Sequence, residues 1–236
     1  MRILILSAYT KEVVWNNYGK CDFGELSTIN HKEYAEKHGY SYHCEIVDAE
    51  DYPNMHLTWL KIYILRKFIE HYDYVVWIDA DAVFVNKNLS IDNFIKANTD
   101  LIVPKMEEDR ENDRVWTGIS TGFMILRNSK HIIALLESMI NYEGPLKYGG
   151  FHEQEYLSNL VIEYFLADEW IPDWYTSKED IIGIKTAYPK EGLSIAIIPK
   201  KYHRCYSDGD MEYIFHAGGD TPSKLKRIKE ALDDKH

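Results

Sequence analysis

Short unbroken apolar blocks alternate with longer stretches of helical period along this chain. Residues 2–8 carry Ile-Leu-Ile-Leu and read as a buried first strand. Residues 24–39 place Leu26, Ile29 and Tyr34 on a helix that stops at Gly39. Residues 40–47 read as a second strand and 51–56 as a loop. Residues 57–72 give the clearest helix, with Leu57, Leu60, Ile64, Leu65, Phe68 and Ile69 in one apolar stripe. A third strand follows at 75–79, a short capped helix at 90–98 and a strand at 101–104. The charge run at 107–114 reads as a solvated loop. Then come a strand at 121–126, a helix at 129–142, a Gly/Pro loop at 144–150 and a helix at 152–166. Late strands at 194–199 and 213–216 precede a polar helix at 221–232. Strands alternating with helices through the first half predict an α/β fold with parallel strands, and ligands beyond their carboxyl ends. No repeat, low-complexity tract or linker interrupts the pattern, so a single domain is expected over 1–236.

A hydrophobic share of 45% is enough to fill a sizeable core. The net charge of −11 and the lack of a basic run argue against nucleic acid as a partner. No stretch approaches a membrane span, and the opening residues do not suit a signal peptide. Cys21, Cys44 and Cys205 are odd in number and widely spaced, which suits a reducing compartment better than a disulfide framework or a zinc site. A soluble, cytoplasmic protein is therefore expected. Asn88-Leu-Ser90 matches a glycosylation sequon, a triplet that recurs by chance.

Chemistry concentrates at Tyr74-Val-Val-Trp-Ile-Asp79-Ala-Asp81, an apolar strand ending in two carboxylates. Aspartate is costly to bury, so the pair needs a partner, and hard divalent cations suit carboxylates. On a strand, residues two apart project to one face, so both carboxylates are expected to reach one cation. A metal held there would hold a diphosphate in turn. His216 ends a short apolar block before Gly218 and Gly219, which permit close approach to a ligand; it reads equally as a ligand or a structural histidine. Glu153, Gln154 and Glu155 open a helix, where acids have both a dipole explanation and a possible site role. Ser7, Ala8, Tyr9 and Thr10 follow the first strand as a loop that would border a nucleotide. Lys61 and Lys224 would face either phosphate or solvent.

Five segments in order resemble glycosyltransferase family 34, the galactosyl-, mannosyl- and xylosyltransferase group. They are Thr58-Trp-Leu-Lys61, the stretch from Tyr72 to Asp81, Gly122-Phe-Met-Ile-Leu-Arg127-Asn128-Ser129, His152-Glu-Gln154, and Phe215-His216-Ala-Gly218. Asn30-His-Lys-Glu-Tyr34-Ala-Glu-Lys-His-Gly39-Tyr40 looks like that family's early helix. The resemblance covers about residues 1–220. It implies a GT-A fold: a single Rossmann-like mixed sheet flanked by helices, with residues 1–105 as the nucleotide-binding half and 106–236 as the acceptor half. It also implies Mn²⁺ (or Mg²⁺) on Asp79, Asp81 and His216, and a nucleotide-sugar donor, with UDP favoured. Donor contacts are expected from Ser7, Ala8, Tyr9, Thr10, Lys61, Asp79, Ala80, Ser120, Gly219 and Lys224. Gln154 would sit near the reacting carbon of the donor sugar, with Glu153 beside it.

The implied reaction moves a hexose or pentose to a hydroxyl of a glycan or glycoconjugate acceptor, with retention of configuration. Trp170, Trp174 and Tyr175 are candidates for stacking on that acceptor. Ser120-Thr121-Gly122 departs from the family's Asn-x-Gly, and a protein without the anchor and stem of Golgi members is expected. Small GT-A enzymes of similar size include inverting ones, in which Glu153 or Glu155 would be the base. Two alternatives lie further off. One is a haloacid-dehalogenase-type phosphatase with Asp79 as nucleophile, and the other a non-catalytic nucleotide-sugar-binding module.

Overall fold

The computed structural model describes residues 1–10, 23–52, 55–95, 99–104, 119–147, 152–165, 192–198, 202–205, 213–217 and 221–233. In chain order the elements are β1 (Ile3–Thr10), α1 (Phe23–His38), β2 (Ser41–Val47), α2 (Leu60–Phe68), β3 (Tyr74–Ile78), β4 (Ala82–Phe84) and β5 (Leu101–Pro104). They continue with β6 (Phe123–Arg127), α3 (Lys130–Ile140), α4 (His152–Phe165), β7 (Ile195–Ile198), β8 (His203–Cys205), β9 (Ile214–His216) and α5 (Thr221–Asp233). The long helix expected at 57–72 keeps its span but changes pitch: Leu57–Trp59 and Ile69–His71 are 3₁₀ turns on either end of α2. Of the helix expected at 90–98, the described residues 90–95 form one 3₁₀ turn, Ile91–Asn93. There Ser90 Oγ accepts from the Asn93 side chain rather than capping a backbone N–H. The Gly/Pro loop contains a further such turn, Pro145–Lys147.

Six strands form the main sheet in the order β2-β1-β3-β6-β5-β7. β1 runs parallel to β2 and β3, and β5 parallel to β7. β6 is antiparallel to both neighbours, so the sheet is mixed rather than parallel throughout. A parallel pair needs a long crossover, usually a helix, and the sequence between β5 and β6 has no helical period. The mixed sheet is the one the resemblance implies; beside it stands an unforeseen three-stranded sheet, β4-β9-β8, whose strands are too short to show a period.

Every strand of the main sheet except β2 is buried on both faces, and the faces separate by the two-residue period. Leu4, Leu6, Val75, Trp77, Met124, Leu126, Ile195 and Ile197 pack against α2 and α3 on one side. Ile3, Ile5, Val76, Ile78, Phe123, Ile125, Ala196 and Ile198 pack on the other with Tyr34 and Ala35 of α1. A smaller core of Val83, Val85, Phe215, Ile228 and Ala231 seats α5 on the second sheet. Strand order turns back at β1 and β3, the place where open α/β sheets leave a crevice beyond the strand ends.

Candidate functional site

The crevice is a cavity of about 320 Å³. Its walls are Ala8, Tyr9 and Thr10 of β1, His56, Thr58 and Lys61 before and on α2, Trp77, the Asp79-Ala80-Asp81 turn, and Lys224 of α5. The expected loop at residues 7–10 is a continuation of β1, paired with β2 as far as Thr10. Gly24 lies under Tyr9, and a Cβ there would stand 2.7 Å from the Tyr9 ring, so only glycine lets α1 start so close. Ser7 is buried and absent from the cavity wall.

Asp79 and Asp81 do not share a strand face. Asp79 follows β3, and a tight turn closed by Ala82 N–H on the Asp79 carbonyl (3.0 Å) swings Asp81 back beside it. β4 then pairs with β9 so that Ala82 stands opposite His216. One ligand atom each from Asp79, Asp81 and His216 lies within 4.8 Å of the others. His216 Nε2 is 3.0 Å from Asp81 Oδ1, and Lys224 Nζ donates to Asp81 Oδ2. Burial by itself would raise the Asp81 carboxyl, but His216 and Lys224 outweigh it and hold the group well below the usual carboxylate range. A Cβ at Gly122 would collide with the His216 imidazole, so glycine is needed where that ring packs. Gly219 lies outside the described residues, as do Trp170, Trp174, Tyr175 and the charge run at 107–114.

Lys61 is buried rather than solvated. Its Nζ lies 3.0 Å from Asp79 Oδ1 and 2.9 Å from Glu153 Oε1, and it donates to the Thr121 carbonyl at 3.3 Å. Burial alone would favour the neutral amine, but the Asp79 and Glu153 carboxylates reverse this and push the ammonium above its ordinary range. Trp77 Nε1 also donates to Asp79 Oδ1, at 2.6 Å. Glu153 is 2% exposed, accepts from Thr121 Oγ1 at 2.9 Å and leaves Oε2 without a partner among the described residues. Gln154 Oε1 accepts from Thr121 N–H at 3.2 Å. Thr58, Lys61, Asp79, Thr121, His152, Glu153 and Gln154 line a second cavity of about 300 Å³ that shares three residues with the first. Ser120 is buried beside it, its Oγ accepting from Gly122 N–H, and lines neither cavity.

The histidine stack escaped the sequence reading, and Thr121 and Gly122 entered it only as parts of longer segments, with no role of their own. Only Gly122 left a signal, a glycine at the mouth of an apolar strand. His56 and His152 stack with ring centroids 3.4 Å apart at 8°. His152 has φ 56°, the positive-φ region that non-glycine residues seldom occupy, at the first position of the helix carrying Glu153 and Gln154.

A solved glycosyltransferase involved in glycosylation of the major capsid of PBCV-1 is similar over 98% of this chain and 100% of that one, with a TM-score of 0.64 and 13% identity. At that identity the likeness speaks for the fold, and the fold is GT-A. An alpha-1,2-galactosyltransferase of Schizosaccharomyces pombe is 36% identical over 76 residues, 29% of this chain and 20% of the relative. Xyloglucan 6-xylosyltransferase 1 of Arabidopsis thaliana is 26% identical over 143 residues, 58% of this chain and 30% of the relative. The chain thus spans between a fifth and a third of the length of these two curated relatives. Both are enzymes of the kind to which the sequence resemblance pointed. Residues 31–205 match the family described as "Protein of unknown function, DUF273", and the chain belongs to that family.

Proposed function

We propose that the protein is a metal-dependent glycosyltransferase that moves a hexose or pentose from a nucleotide-sugar, UDP-linked by preference, to a hydroxyl of a glycan or glycoconjugate, with retention. The observation that carries this reading is the convergence of Asp79, Asp81 and His216 at the rim of the β1/β3 crevice. Two carboxylates and one imidazole fit Mn²⁺ or Mg²⁺, with carboxylate oxygens as the hard donors. When bound, such an ion neutralises a diphosphate and stabilises the charge that grows on it as the sugar departs. Lys224, paired with Asp81, adds a second positive charge at the same rim.

In this reading residues 1–105 supply the nucleotide-binding half, while 106–236 supply the acceptor side and His216. Tyr9 and Thr10 border the nucleotide. Lys61 neutralises Asp79 and Glu153 together and orients both carboxylates. Gln154, its amide oxygen held by Thr121 N–H, presents its amide to the second cavity, where the donor sugar would lie. Glu153 is a poor base for an acceptor hydroxyl, because it is buried and its Oε1 is held by Lys61 and Thr121. That weighs against the inverting alternative with Glu153 as base and leaves Glu155 as the base that alternative would use. The GT-A fold also removes the scaffold on which a phosphatase reading of Asp79 rested. Among the described residues no helix is long and apolar enough to cross a membrane.

The test is calorimetric titration of UDP and of GDP, each with Mn²⁺ and with EDTA. Mn²⁺-dependent binding of one nucleotide is expected, lost in Asp81→Ala. Gln154→Ala should keep that binding and slow transfer. Full Mn²⁺-dependent activity in Asp81→Ala would overturn the site.

A further inference from the structure

Helix α1 stands outside the site just described, yet its buried face is polar. Ser27, Asn30, His31 and Tyr34 are each at most 2% exposed, whereas Ile29, one of the apolar residues that marked the helix in the sequence, is 56% exposed. Residues 27, 30, 31 and 34 lie on one side of a helix by the i, i+3, i+4, i+7 spacing. That side faces β4, the strand that runs directly out of the Asp79-Ala80-Asp81 turn.

Among the described residues β4 is an edge strand of the small sheet, with β9 on one side only. Its odd residues pair with the β9 side: Ala217 N–H donates to the Asp81 carbonyl at 2.7 Å, and Val85 N–H donates to the Tyr213 carbonyl at 2.9 Å. Its even residues point their backbone groups the other way, where an unpaired edge would leave them orphaned in the core. Side chains of α1 meet them there. Phe84 N–H donates to Asn30 Oδ1 at 2.8 Å, and Asn30 Nδ2 donates back to the Phe84 carbonyl at 3.0 Å. His31 Nε2 lies 2.7 Å from the Ala82 carbonyl. A carbonyl only accepts, so Nε2 carries the proton, and His31 Nδ1 is left without a partner among the described residues. Tyr34 stacks on the Phe84 ring at 3.7 Å and shares a 2.6 Å hydroxyl contact with Tyr213, the residue before β9. The amide of Asn30 thus offers one donor and one acceptor to one residue of β4, as a neighbouring strand would.

We infer that Asn30 and His31 are positioning residues for the metal site: α1 acts as a side-chain edge strand that fixes the backbone of β4, and through it the placement of Asp81 opposite His216. The inference rests on the proposed metal site, but none of these α1 side chains touches a ligand of it. The expected consequence follows from the register. Ala82 carries the backbone of Asp81 into β4 and stands opposite His216. If β4 drifts outward by a fraction of an ångström, the ligand atoms of Asp81 and His216 separate, although the fold is retained.

The experiment measures Mn²⁺ affinity by electron paramagnetic resonance of the free ion, without nucleotide. The proteins are the wild type, Asn30→Ala, His31→Leu, His31→Gln and Leu65→Ala. Leu65 is a fully buried residue of α2 on the opposite face of the sheet and controls for general loss of stability. Asn30→Ala and His31→Leu should each weaken Mn²⁺ binding about tenfold, the lower end of what outer-sphere changes cost. His31→Gln, whose Nε2 can donate to the same carbonyl, should restore it, and Leu65→Ala should bind as the wild type does. Unchanged Mn²⁺ affinity in both loss variants, no rescue by glutamine, or an equal loss in Leu65→Ala would overturn the inference alone. If Asn30→Ala fails to fold, the His31→Leu and His31→Gln pair decides. A wild type that binds no Mn²⁺ would overturn the metal site itself, and the inference with it.

Discussion

Helices α1 and α2 cover opposite faces of one sheet and are built by opposite rules. α2 buries Leu60, Ile62, Ile64 and Leu65 and admits a single charge, Lys61, that is paired twice. α1 buries serine, asparagine, histidine and tyrosine, and exposes Ile29. The apolar helix gains its place by removing hydrocarbon from water, which is non-directional. The polar helix gains its place by hydrogen bonds to β4, which hold only at one register. An apolar face tolerates small sliding; a hydrogen-bonded face does not. The more exacting of the two lies behind the turn that carries Asp79 and Asp81.

The largest effect that would sharpen this contrast is at the one buried charged residue of the apolar helix. Lys61→Met leaves Asp79 and Glu153 facing each other without a cation, and should lower the unfolding free energy by about 3–5 kcal/mol. Urea unfolding measures it, and a loss below about 1 kcal/mol would mean that the pair of carboxylates is relieved by protonation instead. Leu65→Ala should cost about 3 kcal/mol by transfer and cavity terms alone.

The next effect is a pH dependence that belongs to α1. Burial lowers the His31 imidazole to about 4, so the folded protein keeps it neutral. Unfolded, the group has an ordinary histidine value near 6.5 and binds a proton more readily. Between those values the unfolded chain holds more protons, so stability is complete above about pH 6.5 and falls as the pH drops towards 4, by roughly 3 kcal/mol in total from this group. His56, lowered to about 4 by burial and by the adjacent His152, adds to the same slope. Thermal melting across that window should show the slope, and His31→Gln should remove its share. A slope unaltered in His31→Gln would break the assignment.

Smaller still, Tyr34→Phe removes the hydroxyl contact to Tyr213 and the bond to the Leu89 carbonyl while keeping the stack on Phe84, and should cost about 1 kcal/mol. At the bottom of the series, Ile29→Lys on the outer face of α1 should change stability by less than about 0.5 kcal/mol. A large loss there would show that α1 uses its apolar residue after all.

The sequence by itself determined the elements with strong period: β1, α2, β3, α3 and α4 all fall where apolar blocks and helical stripes place them. It also singled out Asp79 and Asp81, because carboxylates at the end of a buried block are costly without a partner, and His216 at a similar block end, while Lys61, Glu153, Gln154 and Lys224 gained a definite role only from the family resemblance or from the fold. Tertiary structure decided how they meet. The turn at Asp79–Ala82, not a strand face, joins the two aspartates, and pairing of β4 with a strand some 130 residues on brings in His216. It also decided the antiparallel run of β6, the burial of Lys61 between two acids, and the need for glycine under the His216 ring. Above all it chose the inner face of α1. Hydrophobic period reports which residues avoid water, whereas an asparagine or histidine is buried only when a partner across the fold satisfies it, and no local pattern names that partner.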